Sequence, residues 1–296
     1  MKLSNPSETI PLNTAIEDII LEHDQRGVSA LRPYLPTNFC TQAARYILEH
    51  PGDVLIATGF YILSAGIHET DGPPGAIAIG NALQSLRRKV SYISDVHTTP
   101  MLRDWLGHTA EVIDFPLENV DTSRQMASEL LEQLKPGLLI SIERCGRTSR
   151  DLYLNMRSAD ITQYTARLDY FFESDIPSIG IGDGGNEIGM GNLAEIIPGM
   201  DKLPPDPAVT RVDRLIIASV SNWGGYGLVA ALSRLVGRNL LPSVEEDRRL
   251  IRFMVDRGAV DGATGLRRYY VDNFTLEENS AVLRRLHRAV GEAIGG

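Results

Sequence analysis

Asp183, Asn186 and Glu187 are the only polar side chains between Gly180 and Gly191, and five glycines lie between 182 and 191. Glycine takes positive φ without strain and lets the backbone approach a ligand closely. Ligand-binding groups spaced through such a segment suit an active-site loop, although a flexible surface turn would have the same glycines. Glu69 and Asp71 lie in Glu69-Thr70-Asp71-Gly72-Pro73-Pro74-Gly75, and Glu143 opens Glu143-Arg144-Cys145-Gly146-Arg147. Carboxylates gathered in one place repel one another unless protons, a cation or basic side chains compensate. Two chemistries follow: proton transfer by paired acids, and capture of a hard divalent ion such as Mg²⁺ or Mn²⁺. The plainer alternative is that some of these acids cap helices or are solvated. It is strongest for Glu187, which stands before residues with helical spacing.

Other side chains add to this set. Arg144 offers a planar fork for a carboxylate or phosphate, as would Arg147, Arg150 or Arg157, and its position after an apolar run favours it. Asn222, Trp223 and Gly224 precede an alanine- and leucine-rich helical pattern, whose first N–H groups would hold an anion with the indole as a wall. His97 reads as a general base or a plain loop histidine. Cys145 has no histidine close in sequence and reads as a small buried residue. Asp261 reads as a turn residue. No His/Cys cluster suggests zinc, and no organic cofactor is evident.

These residues need a scaffold, and the apolar pattern supplies one. Short apolar runs at 53–58, 90–94, 110–114, 138–142, 178–182 and 215–219 alternate with helical patterns such as 76–88, 122–134, 160–172 and 225–236. The alternation predicts an α/β fold: a mostly parallel, Rossmann-like sheet of about six strands with helices on both faces. Two further helices, near 14–24 with a Thr14–Glu17 capping box and near 38–49, are expected to pack on it. The chain then reads as a single domain over 1–296, with residues 1–50 packed against a strand–helix core over 53–296. Ligands in such sheets bind beyond the carboxyl ends of the strands. Thr58 and Gly59, Asp95 to Thr99, Glu143 and Arg144, the 180–191 loop and Asn222 all follow strands.

The bulk properties limit the partners. With 296 residues, 43% apolar composition and a net charge of −9, the chain is globular and a poor match for nucleic acid. Two cysteines make no disulfide framework, Met1 to Pro6 opens no apolar leader, and no run reaches membrane-spanning length. A cytoplasmic protein is expected, with no membrane partner.

Taken together, the motifs resemble the D-glutamate cyclase-like C-terminal domain family. The matching stretches are Thr58-Gly59-Phe60, Glu69 through Ala76, Ile142-Glu143-Arg144, Asn155-Met156-Arg157 with Asp160, Ile179 through Gly191, Ser221 through Tyr226, and Asp261-Gly262. They run in family order over about residues 50–270. Tyr61 and Cys145 depart from the expected pattern without removing a polar candidate. The resemblance implies a hydro-lyase that closes D-glutamate to 5-oxo-D-proline with loss of water. It also implies a partner domain or protein, since long relatives carry a second, unrelated domain; self-association is left open.

For that reaction Glu143 is the expected base, and Glu69 or Asp71 the acid. Arg144, or a divalent ion on Asp183 and Glu187, would neutralise the substrate's γ-carboxylate. Thr58, Gly59, Asn186, Asn222, Trp223 and Gly224 would bind this small anionic amino acid. Two other readings stand beside it. One is a non-catalytic domain that binds an amino acid or nucleotide. The other is a Mg²⁺-dependent phosphatase, because Gly182-Asp183-Gly184-Gly185-Asn186-Glu187 resembles a loop of the haloacid-dehalogenase-like enzymes, although His97 replaces an aspartate of their nucleophile motif.

Overall fold

The computed structural model describes residues 15–295. The apolar runs form one sheet: β1 Val54–Thr58, β2 Val90–Ser94, β3 Glu111–Asp114, β4 Leu138–Ile142, β5 Ser178–Gly182 and β6 Arg214–Ile217. The spatial order is β3-β2-β1-β4-β5-β6, and every neighbouring pair is parallel. Every residue of β1, β2, β4 and β5 is buried, so these strands are apolar on both faces rather than alternating. Edge strand β3 instead exposes Glu111 and Asp114.

The helices are α1 Ile16–Ile20, α2 Phe39–Glu49, α3 Pro73–Ser85, α4 Thr99–Leu106, α5 Val120–Leu134, α6 Asp169–Phe172, α7 Ser221–Val236, α8 Val244–Asp256 and α9 Leu276–Gly295. β1 leads to β2 through α3, and β3 returns to β4 through α5, so the chain crosses the sheet in opposite directions. Right-handed crossovers therefore set α3 and α5 on opposite faces. Between β1 and β4 the direction of winding reverses, which opens a crevice beyond their carboxyl ends. On one face α3 packs along α7, and α7 packs on α2 and α9. Among the described residues, no helix is long and apolar enough to cross a membrane.

The structure corrects several expected elements. The 160–172 helix is a 3₁₀ turn at Thr162–Tyr164 followed by the single turn of α6. Asp160 holds the Thr162 amide, and Asp169 is drawn into bonds with Arg147 N, Thr210 Oγ1 and Tyr153 OH, so side chains compete with a continuous helix. No α-helix follows the glycine loop; 3₁₀ turns stand at Met190–Leu193 and Ile197–Gly199. Asn192 there exchanges hydrogen bonds with the Val212 backbone, and Pro198 cannot continue a helix. The first helix spans only Ile16–Ile20, and Thr14 lies outside the described residues. Its Glu17 is buried and accepts from Cys40 N at 2.9 Å, serving the first turn of α2.

Candidate active site

The switch point is built from tight turns. Gly59, after β1, has φ +100°, and a Cβ there would lie 2.4 Å from Thr98 Oγ1. Its carbonyl accepts from Arg144 at 3.0 Å. Glu143, after β4, has φ +44°, an uncommon conformation for a residue with a side chain. The bend turns its carboxylate toward α7, where Ser221 Oγ donates to Oε2 at 2.6 Å.

Next to it, two helices cap each other. Asp71, just before α3, accepts from Ser221 N at 2.9 Å and Asn222 N at 2.8 Å, the first residues of α7. Asn222 Oδ1 in return accepts from Gly72 N at 3.0 Å and Gly75 N at 2.8 Å, at the start of α3. Each side chain thus satisfies amides that a helix start leaves without intrahelical partners. The helices meet closely enough for this because Gly75 and Gly225 face each other: a Cβ on Gly225 would lie 2.9 Å from Gly75 Cα.

The glycine loop after β5 is also self-organised. Glu187 folds back, its Oε1 accepting from Asp183 N at 3.1 Å and Gly184 N at 2.6 Å, and its Oε2 from Gly185 N at 2.7 Å. Asn186 Nδ2 donates to Leu154 O at 3.0 Å. Asp183 is left to face the crevice, where Arg26 Nη1 donates to its Oδ1. The same guanidinium reaches Asp272 Oδ1 at 2.7 Å, on the turn of the Tyr270–Val271/Phe274–Thr275 hairpin.

These elements surround a cleft of about 450 Å³, lined by Arg26, Glu69, Glu143, Met156, Arg157 and Asn186 among others. Glu69, Asp71, Glu143, Asp183, Glu187 and Asp272 are all buried. Burial pushes Glu69 and Glu143 well above the usual carboxylate range, and neighbouring acids add to it: Asp272 first for Glu69, Glu187 first for Glu143. Asp71 rises to about 7, mainly through burial, although the α7 amides pull it back. Asp183 is also raised by burial, against the pull of Arg26. Burial works against the charge of Arg26, but Asp183 and Asp272 hold it well above its ordinary value. Ligand oxygens of Asp71, Asp183 and Asp272 lie within 4.8 Å of one another, as do those of Glu143, Asp183 and Glu187. Asp183 belongs to both groups.

Residues 16–287 match the D-glutamate cyclase-like, C-terminal family. The chain belongs to that family. The D-glutamate cyclase, mitochondrial, of Homo sapiens is 28% identical over 279 residues, covering 79% of this chain and 45% of that protein. This chain thus spans less than half the length of that relative. Among solved structures, an exopolyphosphatase-related protein from Bacteroides fragilis is similar at a TM-score of 0.45 and 11% identity, covering 88% of this chain and 61% of that one. A likeness that loose carries no argument.

In this member of the cyclase-like family, the residues singled out in the sequence divide into two groups. Glu69, Glu143 and Asn186 line the cleft, with Asp183 beside them in contact with Arg26. Thr58 is buried with its hydroxyl unpartnered, 2.9 Å from where a Cβ of Gly72 would stand. The others serve the scaffold. Arg144 does not line the cleft: it is buried, pairs with Asp95 Oδ2 at 2.6 Å, and donates to Gly59 O and Ala166 O. Trp223 is not a wall of the cleft but core, packed on Phe274 with its Nε1 donating to Asn279. Gly224 packs against β5, where a Cβ would lie 2.6 Å from Ile181. Asp71 and Asn222 cap helices, so neither carboxylate nor amide is free in the way the sequence suggested. His97 packs on Tyr61, 4.4 Å between ring centroids, and Cys145 is buried with Phe60, Tyr153 and Ile161. Asp261 holds its turn through Asn273 N and Arg268.

Arg26 and Asp272 escaped the sequence reading. Arg26 follows the short helix α1, in a segment with no strand end and no glycine run to mark it. Asp272 sits in a two-residue hairpin turn, where aspartate is ordinary.

Proposed function

We propose that this chain closes D-glutamate to 5-oxo-D-proline and water. The observation that carries the reading is the cleft itself: two buried glutamates, Glu69 and Glu143, share it with two guanidiniums, Arg26 and Arg157. Among the described residues, the Glu69 carboxylate accepts no side-chain or backbone hydrogen bond, and Arg157 pairs with no acid. Family membership and the human relative's name support the same reaction.

Cyclisation forms one N–C bond and breaks one C–O bond. The substrate ammonium gives up two protons, and the departing oxygen takes up two and leaves as water. Glu143, positioned by Ser221, is the base that frees the amine. Burial and neighbouring acids raise both carboxyls, but the Ser221 hydroxyl donates to Glu143 and favours its ionised form. Glu69 accepts no such bond and is the acid that donates to the oxygen. Two adjacent carboxyls that differ in protonation can pass both protons and return to their starting states. Arg157, which pairs with no acid among the described residues, takes a substrate carboxylate. Arg26, held by Asp183 and Asp272 on the cleft wall, adds positive charge beside the γ-carboxylate, which as an anion resists attack. Holding the amine against the γ-carbon contributes about 7–11 kcal/mol in well-oriented systems.

A divalent ion also fits this site. Asp183 Oδ2 and Asp272 Oδ2 are buried without hydrogen-bond partners, and with Asp71 they make an all-oxygen set. Such an ion would polarise the γ-carboxylate when bound. Glu187 and Asp71 fit the ligand role less well than Asp183 and Asp272, because backbone amides already occupy both oxygens of each.

A second reading, amino-acid binding without turnover, is favoured by the 45% coverage of the human relative, which leaves room for chemistry elsewhere in that protein. One experiment separates the two. The purified chain is incubated with D-glutamate or L-glutamate, with and without Mn²⁺, while 5-oxoproline and thermal stability are followed. The catalytic reading expects 5-oxo-D-proline from D-glutamate. Stabilisation without product would leave the binding reading, and neither response would overturn both.

A further inference from the structure

A second cleft, of about 580 Å³, lies between α3, α8 and the segment joining α7 to α8, and shares no lining residue with the first. Its walls are apolar at Ile77, Leu250 and Pro242, aromatic at Trp105, and charged at Asp247 and Arg249. Asp247 is the unusual member. It is 3% exposed, its Oδ1 accepts from the Tyr226 hydroxyl, and its Oδ2 has no hydrogen-bond partner. Burial raises its carboxyl to about 6.

A buried carboxylate with one unsatisfied oxygen is costly without a cationic donor. The arginines around this cleft are directed elsewhere. Arg238 donates to Ser85, and Arg248, whose charge eases Asp247 through space, pairs with Glu277 at 3.4 Å. Arg249 extends over the Trp105 ring, 5.5 Å from its centroid; its charge acts on Glu246 through space, but among the described residues it makes no ion pair in direct contact. Glu246 on the same wall is occupied by the Ser243 cap. The cleft therefore presents one unmet anion, two guanidiniums without a close carboxylate partner among the described residues, and apolar surface between α3 and α8. Of the two, Arg238 is held by Ser85 and Arg249 by no hydrogen bond.

We propose that this cleft binds an α-amino acid with an apolar side chain. Its ammonium meets Asp247, its carboxylate meets Arg249, and its side chain packs against Ile77, Leu250 and Trp105. A zwitterion satisfies both charges with no counter-ion, which neither a simple amine nor a simple acid does. This site is independent of the proposed cyclisation, and its test reads binding rather than turnover.

The test is calorimetric titration of the whole chain with leucine of either hand, 3-methylbutan-1-amine and 4-methylpentanoate. Saturable leucine binding is expected, with each truncated analogue weaker by about tenfold or more. Asp247→Asn retains an acceptor for Tyr226 while losing the charge, and leucine affinity is expected to fall at least about tenfold. Arg249 is exposed, so Arg249→Ala is expected to fold as the parent does; it should weaken leucine while leaving the amine unchanged. The proposal is overturned if leucine shows no saturable heat up to about 10 mM. It is equally overturned if Asp247→Asn and Arg249→Ala bind leucine as the parent does, or if D-glutamate competes for it, which would place leucine in the first cleft.

Discussion

Glu143 holds a positive φ, which costs a non-glycine residue of order 1–3 kcal/mol and persists only where the surroundings over-determine it. The bend is what brings its carboxylate to Ser221 and the cleft. Glu143→Gln keeps the size of the side chain and the Ser221 contact but cannot take a proton. Turnover of D-glutamate is expected to fall about 10²-fold or more, with the thermal midpoint little changed. Glu69→Gln should do the same, since its acid role ends with its proton. Arg26→Ala removes the cation from Asp183 and Asp272, and the KM for D-glutamate is expected to rise. Arg144→Lys, by contrast, is expected to act on stability: it breaks the buried pair with Asp95 and the bonds to Gly59 O and Ala166 O. Full stability in Arg144→Lys with lost turnover would reverse that assignment.

At the scale of elements, the site depends on α3 and α7 starting side by side. Asn222→Ala leaves Gly75 N without its acceptor and Gly72 N with Asp71 Oδ1 alone, and a loss of about 1 kcal/mol is expected by urea denaturation. Gly225→Ala puts a methyl 2.9 Å from Gly75 Cα, where only backbone can yield. Such overpacking costs about 1–3 kcal/mol, and it should also separate Ser221 from Glu143 and lower turnover. A Gly225→Ala protein with parent stability and rate would mean the helix contact is looser than its geometry indicates.

For the molecule as a whole, the first cleft holds more buried acid than base, and stability must depend on pH. Glu69, Glu143 and Asp183 are raised well above their ordinary values, and Asp71 to about 7. Between the ordinary carboxylate range and about pH 7, the folded protein keeps protons that the unfolded chain has released. The stabilisation is complete at the low end of that window and is lost as the pH rises through it. Denaturation at about pH 5 and about pH 8 should therefore give the higher stability at the lower pH, with a smaller difference in Asp71→Asn. Mn²⁺ is expected to raise the thermal midpoint more at the higher pH, where the acids are ionised, and to lose that effect in Asp183→Asn. A metal response that survives Asp183→Asn would place the ion elsewhere.

The sequence by itself determined the α/β class, the parallel six-stranded sheet and the strand ends that carry polar residues. Those depend on local apolar runs and on the rule that parallel strands buried on both faces read as continuous hydrophobic segments. It also brought out Glu69, Glu143, Asp183 and Asn186, because acids and amides among glycines stand out against an apolar background. It overcalled helices at 160–172 and after the glycine loop, where Asp160, Asp169 and Asn192 divert the backbone into side-chain bonds that periodicity does not register. What a polar residue bonds to was decided only by the tertiary structure. Arg144 and Asp95 are 49 positions apart and Asp71 and Asn222 151, yet each pair consumes groups that looked available for a ligand. Arg26 and Asp183 lie 157 positions apart, and that contact, with the bond to Asp272 and the cleft wall, marks Arg26 as part of the candidate site. Local sequence reports which groups can do chemistry. Long-range hydrogen bonds and ion pairs, made when strand ends converge, decide which of them remain free to do it.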